Sequence, residues 1–454
     1  MAKNPKTLKK EKKWGHWVRF TPNSEKDRAE MLKQAGLGSV QELFSDIPEK
    51  ALIKKELKLP ASLNERDLRK ELESIAAKNK SAKQLSLFLG AGCYNHFVPA
   101  AVPAITGRSE FYTAYTPYQA EISQGSLQAI YEWQTYICWL TGLDAANASV
   151  YNGATAAADA MVMAKNITGK SKILASKSLN PGWMQVLRTY ATAASLELEE
   201  LALEELQELD GQTACVIVQQ PNFFGCIESL QEIAEKAHSN NALLVVAVSE
   251  ALSLAFLPNL GKEKADIVAL DVQSFGNSMS FGGPAAGVIA CRQQYIRHLP
   301  GRLVGRTTDS GGNSGFVLTL QAREQHIRRE KASSNICTNQ ALNALASTVY
   351  LATLGEKGLK EIAGENHGNA LYLAGVLEEN GFEFPFGKDF FNEFVVKKPG
   401  IGELHKKLLG RGIVFGMLLE GIFPELKDCA LVTATEMNSR QSTDSLAAAL
   451  EELL

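Results

Sequence analysis

The sequence has no CxxC pair, no repeat of fixed period and no low-complexity segment. Its seven cysteines (93, 138, 215, 226, 291, 337 and 429) are scattered over 454 residues. That spread excludes the disulfide framework of a small secreted domain and argues against a zinc site. No stretch reaches the roughly 18 uninterrupted apolar residues that a bilayer span requires, and the N-terminus lacks the apolar run of a secretory signal. A membrane is not an expected partner, and the expected location is the cytoplasm. Charge of one sign is not in excess either: 47 Lys and Arg against 50 Asp and Glu leave −3. Nucleic acid is therefore not an expected partner. The histidines lie far apart without ligand spacing and read as structural, so no metal is expected. What is present is ordinary for a large globular enzyme: 45% apolar and 21% charged residues, enough to bury a sizeable core. At roughly 100–200 residues per domain the length predicts two or three domains.

The first 13 residues carry six lysines against one acid, Glu11, and read as a solvated tail. From Trp14 to about Lys80 the signals are helical. Ser39 with Glu42, and Ser62 with Glu65, both fit the S-x-x-E capping box. After the second, Leu68, Leu72, Ile75 and Ala76 recur at helical spacing. Pro48 and Pro60 break these helices into short pieces, an arm laid over something larger. The middle of the chain alternates apolar strand patterns (173–175, 214–218, 243–248 and 267–270) with helical ones, one of them opened by a capping box at Ser229 and Glu232. Continuous apolar strands separated by helices imply a parallel sheet covered on both faces. Residues 287–291 add one more strand, with antiparallel direction allowed. Beyond Arg323 long helical stretches alternate with strand patterns at 394–396 and 430–435, which predicts a smaller α+β domain.

Several short motifs bear on chemistry. Residues 164–171 match a relaxed phosphate-loop pattern, but they close a helix and precede a strand, the reverse of a P-loop; Gly169 is better read as a helix terminator. Tyr151 to Ala158 places a turn of small residues before a helix, leaving first-turn N–H groups for an anion or simply a tightly packed helix start. Within residues 111–125 stand three tyrosines, two threonines, a serine, two glutamines and one carboxylate, Glu121. Rigid phenols and amides at this density suit a ligand cleft or a polar interface. Gln219 to Gly225 follows a strand directly, where ligands bind in open α/β sheets, though Pro-Asn is also ordinary turn chemistry. Residues 280–284 read as another turn. Arg323 to Lys331 is a dense run of mixed charge, suited to a solvated helix face or to an arginine-rich subunit contact.

Three segments, Phe88 to Pro99, Tyr112 to Gly125 and Arg323 to Cys337, strongly resemble the glycine-cleavage P-protein family; residues 43–48 and 219–225 fit the same family. In detail the chain resembles the alpha, N-terminal-half branch of the two-subunit form. The resemblance implies an α/β fold of the type I PLP-dependent transferase kind: a basic tail (1–17), an N-terminal helical arm (18–85), a large mostly parallel-sheet domain (86–322) and a C-terminal helical linker with a small α+β domain (323–454). It also implies a reaction. Glycine is decarboxylated on pyridoxal 5′-phosphate (PLP), and the remaining aminomethyl group passes to the lipoyl group of lipoylated H-protein. The expected partner is the sister chain, glycine dehydrogenase subunit 2 (beta).

The departures from the family pattern define this chain. Residues 266–276 resemble the strand and loop that carry the PLP lysine in the sister subunit, yet no lysine stands between Lys264 and Lys331. By spacing, Ser274 replaces it, and a hydroxyl cannot form an imine. The strand ending at Ser249 offers no aspartate for the pyridinium nitrogen. PLP is therefore expected on the partner's lysine, with the isolated chain inactive. The type I fold that the resemblance implies builds sites at subunit interfaces. Tyr112, Tyr115, Tyr118, Glu121 and Gln124 are accordingly the residues expected to reach the partner's site, and Asn152, Gly153, Thr155 and Asn222 those expected around a cofactor. The alternative is a non-catalytic scaffold or regulatory subunit of the same complex.

Overall fold

The computed structural model describes residues 23–53, 55, 57–206, 209–332 and 334–454; the basic tail at 1–17 lies outside them. The chain divides into two units between Asn79 and Lys80. The first is helical, as its capping signals imply. Helix α1 (Glu25–Gln34) opens on a capping box in which Ser24 Oγ accepts from the Asp27 amide at 3.3 Å and the Asp27 carboxylate accepts from the Ser24 amide at 2.7 Å. Ser39 donates to Glu42 at 2.9 Å, but over a single 3-10 turn at Val40–Phe44. The box expected at Ser62 is corrected: helix α2 (Glu65–Ala76) is capped by Asn64, whose Oδ1 accepts from the Asp67 amide at 3.0 Å. The capping residue must directly precede the first helical one, and Asn there reaches the third amide.

The second unit opens with β1 (Ser86–Leu87), followed by the short helices α3 (Ala101–Thr106) and α4 (Ser109–Tyr112) and the long helix α5 (Gln124–Thr141). The main sheet contains β2 (Ala145–Ala146), β3 (Lys172–Ser176), β4 (Glu197–Leu201), β5 (Thr213–Gln219), β6 (Leu243–Val248), β7 (Ile267–Asp271) and β8 (Gly287–Cys291), in the order β2-β8-β7-β6-β5-β3-β4. Strands β3 to β7 run parallel, whereas β8 is antiparallel to β7 and to β2. Strands β5 to β8 are buried at every position, which is why they read as unbroken apolar runs. Successive side chains go to opposite faces. Val216, Val218 and Val246 pack with Trp133 and Ile137 of α5 and with Ile233 of α8 (Leu230–Ser239). Cys215, Ile217 and Val245 pack with Met161 of α6 (Gly153–Thr168) and Leu187 of α7 (Pro181–Ala194). Gly169, at φ +70°, ends α6 in the left-handed conformation, as its position implies.

Strands β9 (Leu303–Thr308) and β10 (Ser314–Thr319) form an antiparallel ribbon. The charge run from Arg323 is no helix face: it folds as short turns around the single-turn helix α9 (Gln325–Arg328). Helix α10 (Ala341–Glu379), broken at Gly355 (φ +62°), packs Tyr350 and Leu351 into the large core and Leu373 and Leu377 into a second one. That second core lies under β11 (Glu393–Lys397), α11 (Ile401–Gly410), β12 (Ile413–Val414), β13 (Met417–Leu418), β14 (Cys429–Thr433) and α12 (Arg440–Leu453). Strands β11, β14 and β13 form an antiparallel sheet, and β12 pairs in parallel with β1. Among the described residues no helix is long and apolar enough to cross a membrane. Nor does any group of three or more His, Cys, Asp or Glu among them form a metal site.

Candidate functional site

Asp271 ends β7 and α6 starts at Gly153, so the C-terminal edge of the parallel strands and the N-terminus of a helix share one cavity. It measures about 280 Å³ and is lined by Cys93, Tyr151, Asn152, Trp183, Asp271 and Gln340, among others. The expected residues Asn152, Gly153 and Thr155 do come together here, but their polar groups serve the helix itself. Asn152 Oδ1 accepts from the Thr155 amide at 2.9 Å, and Thr155 Oγ1 accepts from the Asn152 amide at 3.1 Å. The Gly153 amide donates to Asp271 Oδ2 at 2.9 Å. A Cβ on Gly153 would stand 2.4 Å from the Trp183 ring, so glycine is required there by the close approach of protein groups. Asn222 is elsewhere. Its Oδ1 accepts from the amides of Phe224 and Cys226 at 2.9 and 3.0 Å, and it organises its own turn beside a smaller recess lined by Tyr94, Ser249 and Glu393.

Ser274 is fully buried and its hydroxyl has no hydrogen-bond partner. Beside it, Gln273 locks the loop. Its Oε1 accepts from the Tyr94 amide at 2.9 Å, and its Nε2 donates to the carbonyls of Tyr94 and Asn277 at 3.0 and 2.8 Å. Ser249, just past the end of β6, accepts from Gln219 Nε2 at 3.2 Å. On the positions that the resemblance assigns, the residues present do not fit PLP: Ser274 is a hydroxyl, which cannot form an imine, the strand before Ser249 offers no aspartate, and the helix amides of Gly153 and Thr155 are already bonded within the chain.

The tyrosine segment lies over a second cleft of about 250 Å³, bounded by Tyr112, Tyr115, Trp133, Arg302, Asn339 and Gln340, among others. Gln340 borders both cavities, so the two clefts adjoin. Tyr112 and Tyr115 are 67% and 79% exposed, and Glu121 is exposed on the 3-10 turn Ala120–Ile122. Tyr118 is tied down: its hydroxyl accepts from Arg302 Nη2 at 3.3 Å, and its ring packs edge-on against His326 at 5.7 Å. Gln124 is wholly engaged as an anchor, accepting from the Phe316 amide at 2.9 Å and donating to the carbonyls of Phe316 and Ala120 at 2.8 Å. Two of the segments that carry the family resemblance therefore touch, Tyr118 on His326, while the third supplies Cys93 to the neighbouring cavity.

Sequence reading missed a buried ionic cluster. His96 Nε2 lies 3.0 Å from Glu250 and its Nδ1 lies 2.8 Å from Glu436. Burial disfavours charge on the imidazole, but the two carboxylates outweigh it and raise its pKa to about 10. Glu436 also accepts from the Phe97 amide at 2.7 Å and from Asn366 at 2.9 Å. Nearby, burial pushes Glu393 up to about 7 against the bonds it receives from Ala91, Thr433 and Tyr94. No spacing signal could have exposed this cluster, because its members come from four distant segments.

A family model described as glycine cleavage system P-protein matches residues 18–450. The probable glycine dehydrogenase (decarboxylating) subunit 1 of Carboxydothermus hydrogenoformans is 49% identical over 437 residues, covering 94% of this chain and 98% of that one. Its counterpart from Geobacillus kaustophilus is 48% identical over 436 residues, with 94% and 97% covered. Among solved structures, an inhibitor-bound glycine decarboxylase (P-protein) of the glycine cleavage system superposes with a TM-score of 0.87 at 42% identity, covering 96% of this chain and all of that one. Lactobacillus brevis glutamate decarboxylase, at 14% identity and a TM-score of 0.63 over 89% and 95% of the two chains, shares the fold alone. The fold is that of type I PLP-dependent enzymes. On the extent of both matches, this chain belongs to the glycine cleavage system P-protein family.

Proposed function

We propose that this chain is the subunit without the PLP lysine in a heteromeric glycine decarboxylase, with PLP held by a lysine of its sister subunit. The observation that carries this reading is Ser274, fully buried and unpartnered on the loop after β7, in a member of a PLP-dependent family. The complex decarboxylates glycine and passes the aminomethyl group to the lipoyl group of H-protein. The electron-sink chemistry belongs to the cofactor on the partner, and this chain's own contribution is a surface. Tyr112 and Tyr115 present phenols at the mouth of the second cleft. Tyr118 and Gln124, bonded to Arg302 and to β10, hold that segment in place. Preorganised hydroxyls of this kind act by positioning, within about 0.5 Å, groups aimed at a neighbouring reacting centre.

Reconstitution tests the proposal. The full chain alone is expected to show neither glycine decarboxylation nor a PLP–lysine absorbance, and mixing it with the sister subunit is expected to restore turnover. Glycine decarboxylation by the sister subunit alone, at the rate of the mixture, would reduce this chain to a scaffold and overturn the proposal.

A further inference from the structure

The first-turn amides of a helix lack helical partners and carry the positive end of its dipole, which is where anions are held. At the start of α6 that position is filled from within the chain. Asp271 Oδ2 accepts from the Gly153 amide at 2.9 Å, and Asp271 Oδ1 accepts from the Gln273 amide at 2.9 Å. The register of β7 fixes the carboxylate there, since Asp271 is the strand's last residue and pairs with Gly287 of β8. The fit is tight: a Cβ on Gly153 would come within 2.7 Å of Asp271 Cβ as well as striking Trp183. Among the described residues no Lys, Arg or His forms an ion pair with Asp271. Burial raises the Asp271 carboxyl to about 6, opposed by the amides of Gly153 and Gln273 and reinforced by the negative charge of Glu250. The two backbone N–H groups that the carboxylate accepts from favour its ionised form, so the wall of the 280 Å³ cavity carries negative charge at its helix terminus.

We infer that Asp271 is a built-in anion standing where a phosphate would be held, so that this chain rejects phosphorylated ligands by charge, independently of its missing lysine. The inference rests on the reading that the cofactor belongs to the sister subunit, and it adds a second barrier to that reading. Restoring an amine at position 274 would then not restore a PLP site. Two anions cannot share one helix terminus without strong mutual repulsion.

The test separates charge from lysine chemistry by comparing PLP with pyridoxal, which lacks the phosphate. In the full chain carrying Ser274→Lys, pyridoxal is expected to form a borohydride-trappable linkage at least as readily as PLP. Adding Asp271→Asn, which removes the charge while keeping the shape, is expected to raise the PLP-to-pyridoxal ratio about tenfold. A Ser274→Lys variant that prefers PLP, or a ratio unmoved by Asp271→Asn, would overturn the inference. Because position 274 is buried, a second measurement avoids it. The thermal midpoint of Asp271→Asn is expected to rise with added inorganic phosphate, and that of the unaltered chain to stay constant. An equal response of both would also overturn it. A PLP–lysine band in the unaltered chain would instead refute the proposed function, so the two failures are distinguishable.

Discussion

His96 and Glu436, 340 positions apart, face each other at 2.8 Å inside the protein, and the same imidazole touches Glu250 on its other nitrogen. Glu250 stands two residues beyond the end of β6, and Glu436 three residues beyond the end of β14. One buried cation thus ties the C-terminal end of the main sheet's central strand to the C-terminal sheet.

This tie has a pH signature. The folded state raises the His96 pKa from 6.5 to about 10, so the stabilisation is fully present below the unfolded value and is lost as pH rises through the folded one. Unfolding free energy measured with urea is expected to fall between about pH 7 and pH 10. His96→Gln should flatten that slope and lower stability at pH 7 by about 3–5 kcal/mol, the range for removing one partner of a buried ion pair. A slope identical in both proteins would contradict the assignment.

Glu393 acts in a lower window with the same sign. Its folded pKa of about 7 exceeds the ordinary 4.5, so the protonated carboxyl is favoured by folding. Its contribution is present below the unfolded value and is lost as pH rises through about 7. Glu393→Gln, neutral at every pH, is expected to lessen the decline in stability between pH 5 and pH 8. An unchanged decline would show that folding does not raise the Glu393 pKa.

At the start of α6, Gly153→Ala is expected to destabilise the chain by about 1–3 kcal/mol through overpacking against Trp183. Trp183→Leu in the same background should recover part of the loss. Denaturation midpoints of the single and double variants measure both.

The alternation of apolar runs made the parallel sheet legible, because strands covered on both faces have no other pattern available, and the direction of β8 was left open by the same reasoning. Strand β4 escaped notice for a physical reason. Its Glu-Leu-Glu-Glu-Leu sequence is that of an edge strand, which carries charge toward solvent. The capping box read at Ser229 is also absent: α8 begins there without a side-chain bond. At the site, Ser274 and the tyrosine segment stood out because they are local features. Asp271, His96 and Glu436 did not, since each gains its meaning from a residue more than a hundred positions away.

The exposed phenols carry a kinetic expectation. In the intact complex Tyr115→Phe keeps the ring and removes one hydroxyl. Turnover should fall on the order of 10²-fold, as for loss of one transition-state hydrogen bond, with the complex still assembled by sedimentation. Gln124→Ala, which frees the segment from β10, should lower turnover in the same direction. Unchanged rates for Tyr112, Tyr115 and Glu121 variants alike would remove the segment from the site.

The most direct measurement is to reduce the working complex with borohydride, separate its two chains and weigh each. The covalent PLP adduct is expected on a lysine of the sister subunit alone, with this chain at its unmodified mass. An adduct on a lysine of this chain, in stoichiometric amount, would contradict the division of labour proposed from Ser274.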